Sequence, residues 1–167
     1  MKTRGESPNL KEYWAGTKGR LINIRPLLQS VPWMAEQKPI LVVAGIIRDG
    51  DNILICQRRR SDAYGLQWEF PGGKVQEGEG LEAALQRELG EELAIQCEAG
   101  AEVFRLRHRY PDRYVEVVFF SVASYRGEAR SLVFESIEWA PRTSLPAYDF
   151  LEADRELVIR ISKGELV

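Results

Sequence analysis

A chain of 167 residues with 44% apolar and 29% charged residues has the size and make-up of one globular domain with a sizeable core. Its formal charge of −2 gives no broad basic field for duplex nucleic acid, and no apolar run reaches the length of a membrane span. The N-terminus carries Glu6 and Glu12 without a long apolar core, so neither a secretory signal nor a membrane anchor is expected and the chain reads as cytoplasmic.

Within residues 1–39, Leu21, Ile24, Leu27, Leu28 and Val31 suggest an apolar face, which Pro26 and Pro32 interrupt. Part of 20–38 is expected to pack on the following domain or on a second copy of it, the latter giving a homodimer, and the N-terminal end is expected to be loose. The folded domain is expected over 40–167. Residues 40–48 and 53–58 are β-rich apolar runs separated by the turn chemistry of Arg48-Asp49-Gly50-Asp51-Asn52, and they read as a hairpin. A basic loop at 59–67 leads to a short strand at 68–70, then to Pro71-Gly72-Gly73, where the backbone can bend close to a ligand.

A helix is predicted over 80–93 from its leucine spacing. Strands follow near 95–107 and 114–125, joined by a turn at Tyr110-Pro111-Asp112-Arg113, and another near 132–139 precedes Pro141. The last helix is expected from near Leu151, with Asp149 or Phe150 at its entry, to about Ser162. Two helices flanking a mixed sheet make a layered α/β sandwich. Cys56 and Cys97 are too few for a disulfide framework or a zinc site and are expected as reduced core residues. The single histidine, His108, lies between Arg107 and Arg109 and is expected to be exposed and structural.

The first helix carries the chemistry. At ~100° per residue, Leu81, Leu85, Leu89 and Leu93 form one apolar arc, and Glu88 and Glu92 project into it, with Glu91 at its edge. A solvated acidic face would avoid that arc. These anions also sit in the C-terminal half of the helix, where the macrodipole disfavours each by ~0.3–1 kcal/mol, so something positive should compensate them. Carboxylates at i, i+3 and i+4 supply hard oxygen ligands that suit Mg²⁺ or Mn²⁺ rather than zinc or copper. The pattern points to metal-assisted chemistry on phosphate.

The spacing Gly73, five residues, Glu79, seven residues, Arg87-Glu88-Leu89, one residue, Glu91-Glu92, then Ile95 resembles the signature box of the Nudix hydrolases. One position departs: Ala94 stands where the family has a glycine that would cap the helix in the left-handed region. The resemblance extends over 40–162 through Val43-Ala44-Gly45-Ile46-Ile47-Arg48, Ile55-Cys56-Gln57-Arg58-Arg59, Trp68-Glu69-Phe70-Pro71-Gly72-Gly73-Lys74 and Tyr110-Pro111-Asp112-Arg113. It looks closest to the MutT-like branch.

The resemblance implies a Nudix-type α/β/α sandwich that cleaves a free nucleoside triphosphate to the monophosphate and pyrophosphate with Mg²⁺ or Mn²⁺, sanitising damaged nucleotides such as oxidised dGTP. It implies Glu88, Glu91 and Glu92 as metal ligands, with a Gly72 or Gly73 carbonyl and Glu135 as further oxygens. Glu88 is the first choice for orienting or deprotonating water instead. Gly73, Glu79 and Arg87 are read as structural, Arg87 pairing with Glu79 and Glu91. Arg59 is placed on the phosphates, with a solvated basic turn as its alternative, and Lys74 beside the glycine pair has the same capability.

Tyr64, Glu69, Phe70, Pro71, Gly72 and Asp154 are implied around the base and sugar, although Phe70 by itself reads as core. Asp154 stands where MutT-like enzymes often carry asparagine. Taken as ionised it only accepts hydrogen bonds, which favours guanine-type or cytosine nucleotides over thymine and uracil. Another Nudix substrate, such as ADP-ribose, a dinucleoside polyphosphate or capped RNA, and a non-catalytic nucleotide-binding module remain the rival readings.

Overall fold

The computed structural model describes residues 38–166, so the expectations for residues 1–37 lie outside the described residues. Two sheets form its centre. The first runs in the order β5 (Gly72–Lys74), β1 (Ile40–Ile46), β7 (Tyr114–Arg126), β6 (Gln96–Arg109), with β1 and β7 parallel and the other pairs antiparallel. The second joins β2 (Arg48–Asp49), β3 (Asn52–Gln57), β4 (Trp68–Glu69) and β8 (Ser136–Pro141), all antiparallel.

Alternation along β1 explains the layering. Val43 faces one core with Leu85, Leu89, Leu93, Val118 and Phe120, and here helix α1 (Leu81–Leu93) packs. Ala44 and Ile46 face the other core with Phe70, Val117, Phe119, Phe150, Leu157 and Ile161, where α2 (Arg155–Ser162) packs. The result is the expected α/β/α sandwich with a mixed sheet. Among the described residues no helix is long and apolar enough to cross a membrane.

The sequence-level hairpin is corrected. Only Arg48–Asp49 turns back on Asn52 and Ile53, with the Ile47 carbonyl accepting Leu54 N–H at 3.0 Å, while β1 pairs with β5 and β7 in the other sheet. As an interior strand β1 has its backbone groups filled along both edges, by β5 and β7, and the next strand in sequence could supply only one. The strand expected at 132–139 starts instead at Ser136. Leu132 and Val133 are exposed, and the Leu132 and Arg130 N–H groups donate to the carbonyls of Glu92 and Leu93, two of the free acceptors at the end of α1.

A 3₁₀ turn at Arg142–Ala147, containing Pro146, was not expected. The last helix is entered through a second 3₁₀ turn, Glu152–Asp154, and α-helix proper begins at Arg155. Cys56 and Cys97 are buried free thiols, as expected. His108 is not fully exposed: its ring packs on Tyr110 with 4.4 Å between centroids, and its Nε2 is buried without a hydrogen-bond partner.

Candidate active site

Helix α1 lies with its leucine arc on the sheet, and this brings Glu88 and Glu92 up against the Pro71-Gly72-Gly73 loop. Gly72 has φ +151°, and a Cβ there would run into the Val43 carbonyl; a Cβ on Gly73 would run into the Glu88 carboxylate. Glycine is therefore required twice, once for backbone conformation and once to admit a side chain from the helix. The Gly72 N–H donates to Glu92 Oε2 at 2.9 Å, and Pro71 is fixed to β1 because its carbonyl accepts Gly45 N–H at 2.8 Å. Ala94 ends the helix in the left-handed region, φ 59° and ψ 30°, with its N–H donating to Gly90 O at 3.2 Å. The chain thus keeps the glycine geometry with a residue that strains to adopt it.

Arg87 is the positive group the carboxylates called for. Its Nε and Nη2 grip the two Glu79 oxygens at 2.8 and 2.9 Å, Nη1 reaches Glu88 at 2.7 Å and Glu91 at 3.3 Å, and Nη2 also meets the Lys74 carbonyl at 3.0 Å. This geometry holds Glu79 down to about 2, helped by the Gln76 N–H. The Lys74 ammonium itself is on an exposed residue. Glu92 behaves oppositely: burial pushes it up to about 8, the charges of Glu69 and Glu88 add to the push, and the Gly72 N–H and Arg58 oppose it. Among the described residues no three acidic, histidine or cysteine side chains converge as a ready-made metal cage. Glu88 and Glu91 are drawn to Arg87, and Glu92 to the glycine loop.

A second acidic group lies beside the first. Cys56 pairs with Glu69 across β3 and β4, which brings Arg58 Nη1 to Glu69 Oε2 at 2.7 Å, and Arg58 Nε donates to the Ala63 carbonyl at 2.9 Å. Burial still raises Glu69 above the ordinary carboxylate range, more than Arg58 lowers it. Asp154 is buried, and that burial, with the charge of Glu69, pushes it well up against the weaker pull of the Phe70 N–H and Arg58. Burial thus disfavours the ionised form of Asp154; a protonated carboxyl there would offer both a donor and an acceptor, an ionised one only acceptors. Its side chain makes no helix-capping hydrogen bond.

The Phe70 ring sits in the core, 5.3 Å from Phe150 and 6.1 Å from Phe119, which leaves its backbone as the part nearest Asp154. Tyr64, at φ 59°, donates its hydroxyl to Asp112 Oδ1 at 3.0 Å and packs against Tyr110, tying the basic loop to the turn after β6. Arg59 is exposed and donates to the Leu132 carbonyl at 3.0 Å; Glu135 is exposed in the same stretch, its Oε2 3.5 Å from Arg60 N. Both lie on the loop edge beyond the end of α1. Sequence reasoning passed over Arg58, whose only local signal was its place in the Arg58-Arg59-Arg60 run, and Tyr110, whose hydroxyl meets Ala153 and whose ring meets Tyr64, both remote in sequence.

Residues 38–161 match the NUDIX domain family. The chain is 32% identical to the 8-oxo-dGTP diphosphatase of Escherichia coli over 127 residues, which is 75% of this chain and 98% of that protein. It is 34% identical over 122 residues to the CTP pyrophosphohydrolase of Escherichia coli, 72% of this chain and 90% of that one. Among solved structures, the solution structure of the E. coli ORF135 protein superposes with a TM-score of 0.67 at 31% identity, covering 74% of this chain and 88% of that one. A MutT NUDIX hydrolase from Burkholderia pseudomallei shares the fold with a TM-score of 0.68. With the box on α1 and the glycine loop against it, the chain belongs to the NUDIX domain family and is a hydrolase of its MutT-like branch.

Proposed function

We propose that this enzyme hydrolyses free nucleoside triphosphates to the monophosphate and pyrophosphate, and that it removes oxidised guanine nucleotides before they can be built into nucleic acid. The observation that carries the reading is the pairing of two acidic groups, Glu88 and Glu92 under the glycine loop, and Glu69 with the buried Asp154 beside them. The first group suits phosphate chemistry, and the second suits recognition of a base. The names of relatives at 32% and 34% identity, an 8-oxo-dGTP diphosphatase and a CTP pyrophosphohydrolase, support the same substrate class.

The residues fit a divalent metal: their donors are hard oxygens, and Glu92 is a buried carboxylate whose ionisation awaits a cation. Glu88, Glu91 and Glu92 would hold it, with the Gly72 carbonyl and Glu135 as further oxygens. Once bound, Mg²⁺ or Mn²⁺ would neutralise phosphate charge and lower the pKa of water. Arg87 and Glu79 hold the glutamates in register, and Glu88 is the residue we assign to orienting the attacking water. Arg59 and Lys74 attract the phosphates. Tyr64, Glu69, Pro71 and the Phe70 backbone bound the base and sugar.

Burial disfavours an ionised Asp154, and reading it as protonated changes the substrate argument. An ionised carboxylate would rank bases by their donors, but a neutral carboxyl matches any edge with an adjacent donor and acceptor, so the expected advantage over thymine and uracil loses its basis. What remains is selection at the guanine edge that carries O6 and N7. Both are acceptors in guanine, whereas the 8-oxo form presents N7–H beside O6 and pairs with a carboxyl that donates and accepts. A second reading, preference for cytosine nucleotides, draws on the relative named CTP pyrophosphohydrolase, because cytosine's amine and N3 form the same donor–acceptor pair.

Incubation with Mg²⁺ and a panel of 8-oxo-dGTP, dGTP, dCTP, dTTP and ADP-ribose, with products separated by ion exchange, tests the reading. Monophosphate with pyrophosphate, fastest from 8-oxo-dGTP, is expected. Diphosphate with orthophosphate, ADP-ribose as sole substrate, or tight binding without turnover would overturn it.

A further inference from the structure

The turn between β6 and β7 begins with a residue that has a second attachment, Tyr110. The Tyr110 ring is held between Tyr64, 5.0 Å away between centroids, and His108, 4.4 Å away, and the residue is buried in the core that also contains Phe70, Phe150 and Ala153. With the ring fixed, the hydroxyl has a set direction, and it accepts the Ala153 N–H at 3.2 Å in a buried setting. Ala153 precedes Asp154 inside the 3₁₀ turn Glu152–Asp154.

That turn has no side-chain cap at its start; its first bond runs from Asp154 N–H to the Leu151 carbonyl at 3.0 Å, and Arg155 N–H closes it on the Glu152 carbonyl. The first N–H groups of any helical turn lack partners within the turn. Here the phenol fills that need from 43 residues away in sequence. Without it a buried donor is left unsatisfied, and the turn would relieve that by twisting toward water.

We infer that Tyr110 is a positioning residue for base selection: its hydroxyl fixes the short turn that aims the Asp154 carboxyl, and so sets how sharply the enzyme separates one base from another. This rests on the reading of Asp154 as a base contact. The phosphate-side glutamates stand on α1, an element Tyr110 does not hold, so the effect of losing the hydroxyl falls on base-dependent KM rather than on kcat. Tyr110 touches no reacting atom; it acts through Ala153 and Asp154.

The test is Tyr110→Phe, which keeps the ring and removes only the acceptor. Values of kcat and KM for 8-oxo-dGTP, dGTP and dCTP with Mg²⁺ are compared among wild type, Tyr110→Phe, Asp154→Ala and the double variant. The largest base preference should fall about three- to tenfold in Tyr110→Phe, carried by KM, with no further fall when the change is made in the Asp154→Ala background. Amide hydrogen exchange at Ala153 and Asp154 in the free protein should quicken in Tyr110→Phe, a readout that needs no turnover.

A lower melting temperature with base preference and exchange both unchanged would overturn the inference, as would an equal loss in both backgrounds. If Asp154→Ala removes the preference and Tyr110→Phe does not, only the positioning role falls. If Asp154→Ala leaves the preference intact, the base-contact reading falls and takes the route through Tyr110 with it.

Discussion

Arg87 and Glu79 meet fork to fork, Nε on Oε1 at 2.8 Å and Nη2 on Oε2 at 2.9 Å, and this single pair fastens the loop after β5 to the middle of α1. The same guanidinium holds Glu88 and Glu91 by its other arm, so the loop and two candidate metal ligands share one anchor. Lysine keeps the charge but not the planar fork. Arg87→Lys is therefore expected to cut kcat/KM at least about tenfold at saturating Mg²⁺, since small displacements of positioned groups are costly. Wild-type turnover in Arg87→Lys would show that the anchor is dispensable.

Glu92 should separate stability from activity. Its pKa is raised in the folded protein, so its contribution to the stability of the metal-free protein is fully present below the ordinary carboxylate value and is lost as pH rises through about 8. Glu92→Gln removes the ionisable group while its amide oxygen still accepts the Gly72 N–H. The variant should be more stable than wild type to urea at pH 9 without metal, and nearly equal at pH 5. Turnover should drop at least about a hundredfold, because a lost metal ligand removes several kcal/mol of transition-state stabilisation. A variant less stable at pH 9 would contradict the buried-charge account.

Glu79 carries the opposite linkage. Its pKa is lowered to about 2, so its contribution to stability is present above the ordinary carboxylate value and is lost as pH falls through that lower value. Thermal melts of Glu79→Gln and wild type should converge as the pH is lowered from 5 toward 2. Parallel curves over that range would mean that Arg87 does not depend on the Glu79 charge.

If burial keeps Asp154 protonated, Asp154→Asn should preserve base preference at neutral pH, because the amide presents a donor and an acceptor as a protonated carboxyl does. Wild type should lose preference as alkaline pH ionises the carboxyl, and the asparagine variant should not. Coincident pH profiles for the two proteins would remove proton donation by Asp154 from the account.

Ala94→Gly is expected to stabilise the protein by about 0.5–1 kcal/mol, since the left-handed cap costs an L-residue energy that glycine avoids. Activity should not change. Denaturant titration checks it, and a destabilised variant would indicate that the alanine methyl contributes packing that outweighs the strain.

The parts of the site written in local spacing were legible in sequence. The leucine arc places Glu88 and Glu92 inward wherever the helix docks, and the observed Leu81–Leu93 differs from the expected 80–93 by one residue. What depends on remote partners was not legible. The hairpin reading failed because β1 finds its neighbours in β5 and β7. The burial that disfavours an ionised Asp154 was not legible, because the residues that enclose it, and the opposing charges of Glu69 and Arg58, are remote in sequence. Leu132 and Val133 read as strand by their apolarity, yet the free carbonyls at the end of α1 claim that backbone first.

The parallel pairing of β1 with β7 joins Ile40 to Val115 and Ile46 to Ser121, and everything that forms the phosphate side of the site except Glu135 lies on the intervening chain. On the ribosome the order of emergence then matters. The glutamate helix leaves the exit tunnel well before the strand that secures its platform, so it has no finished sheet to rest on until β7 is made. A loop of such length closes at an entropic cost that only the completed sheet repays. Capacity to hydrolyse nucleotides should consequently arrive in one step late in translation, and a nascent chain stalled before β7 should carry the whole signature box and yet be inert.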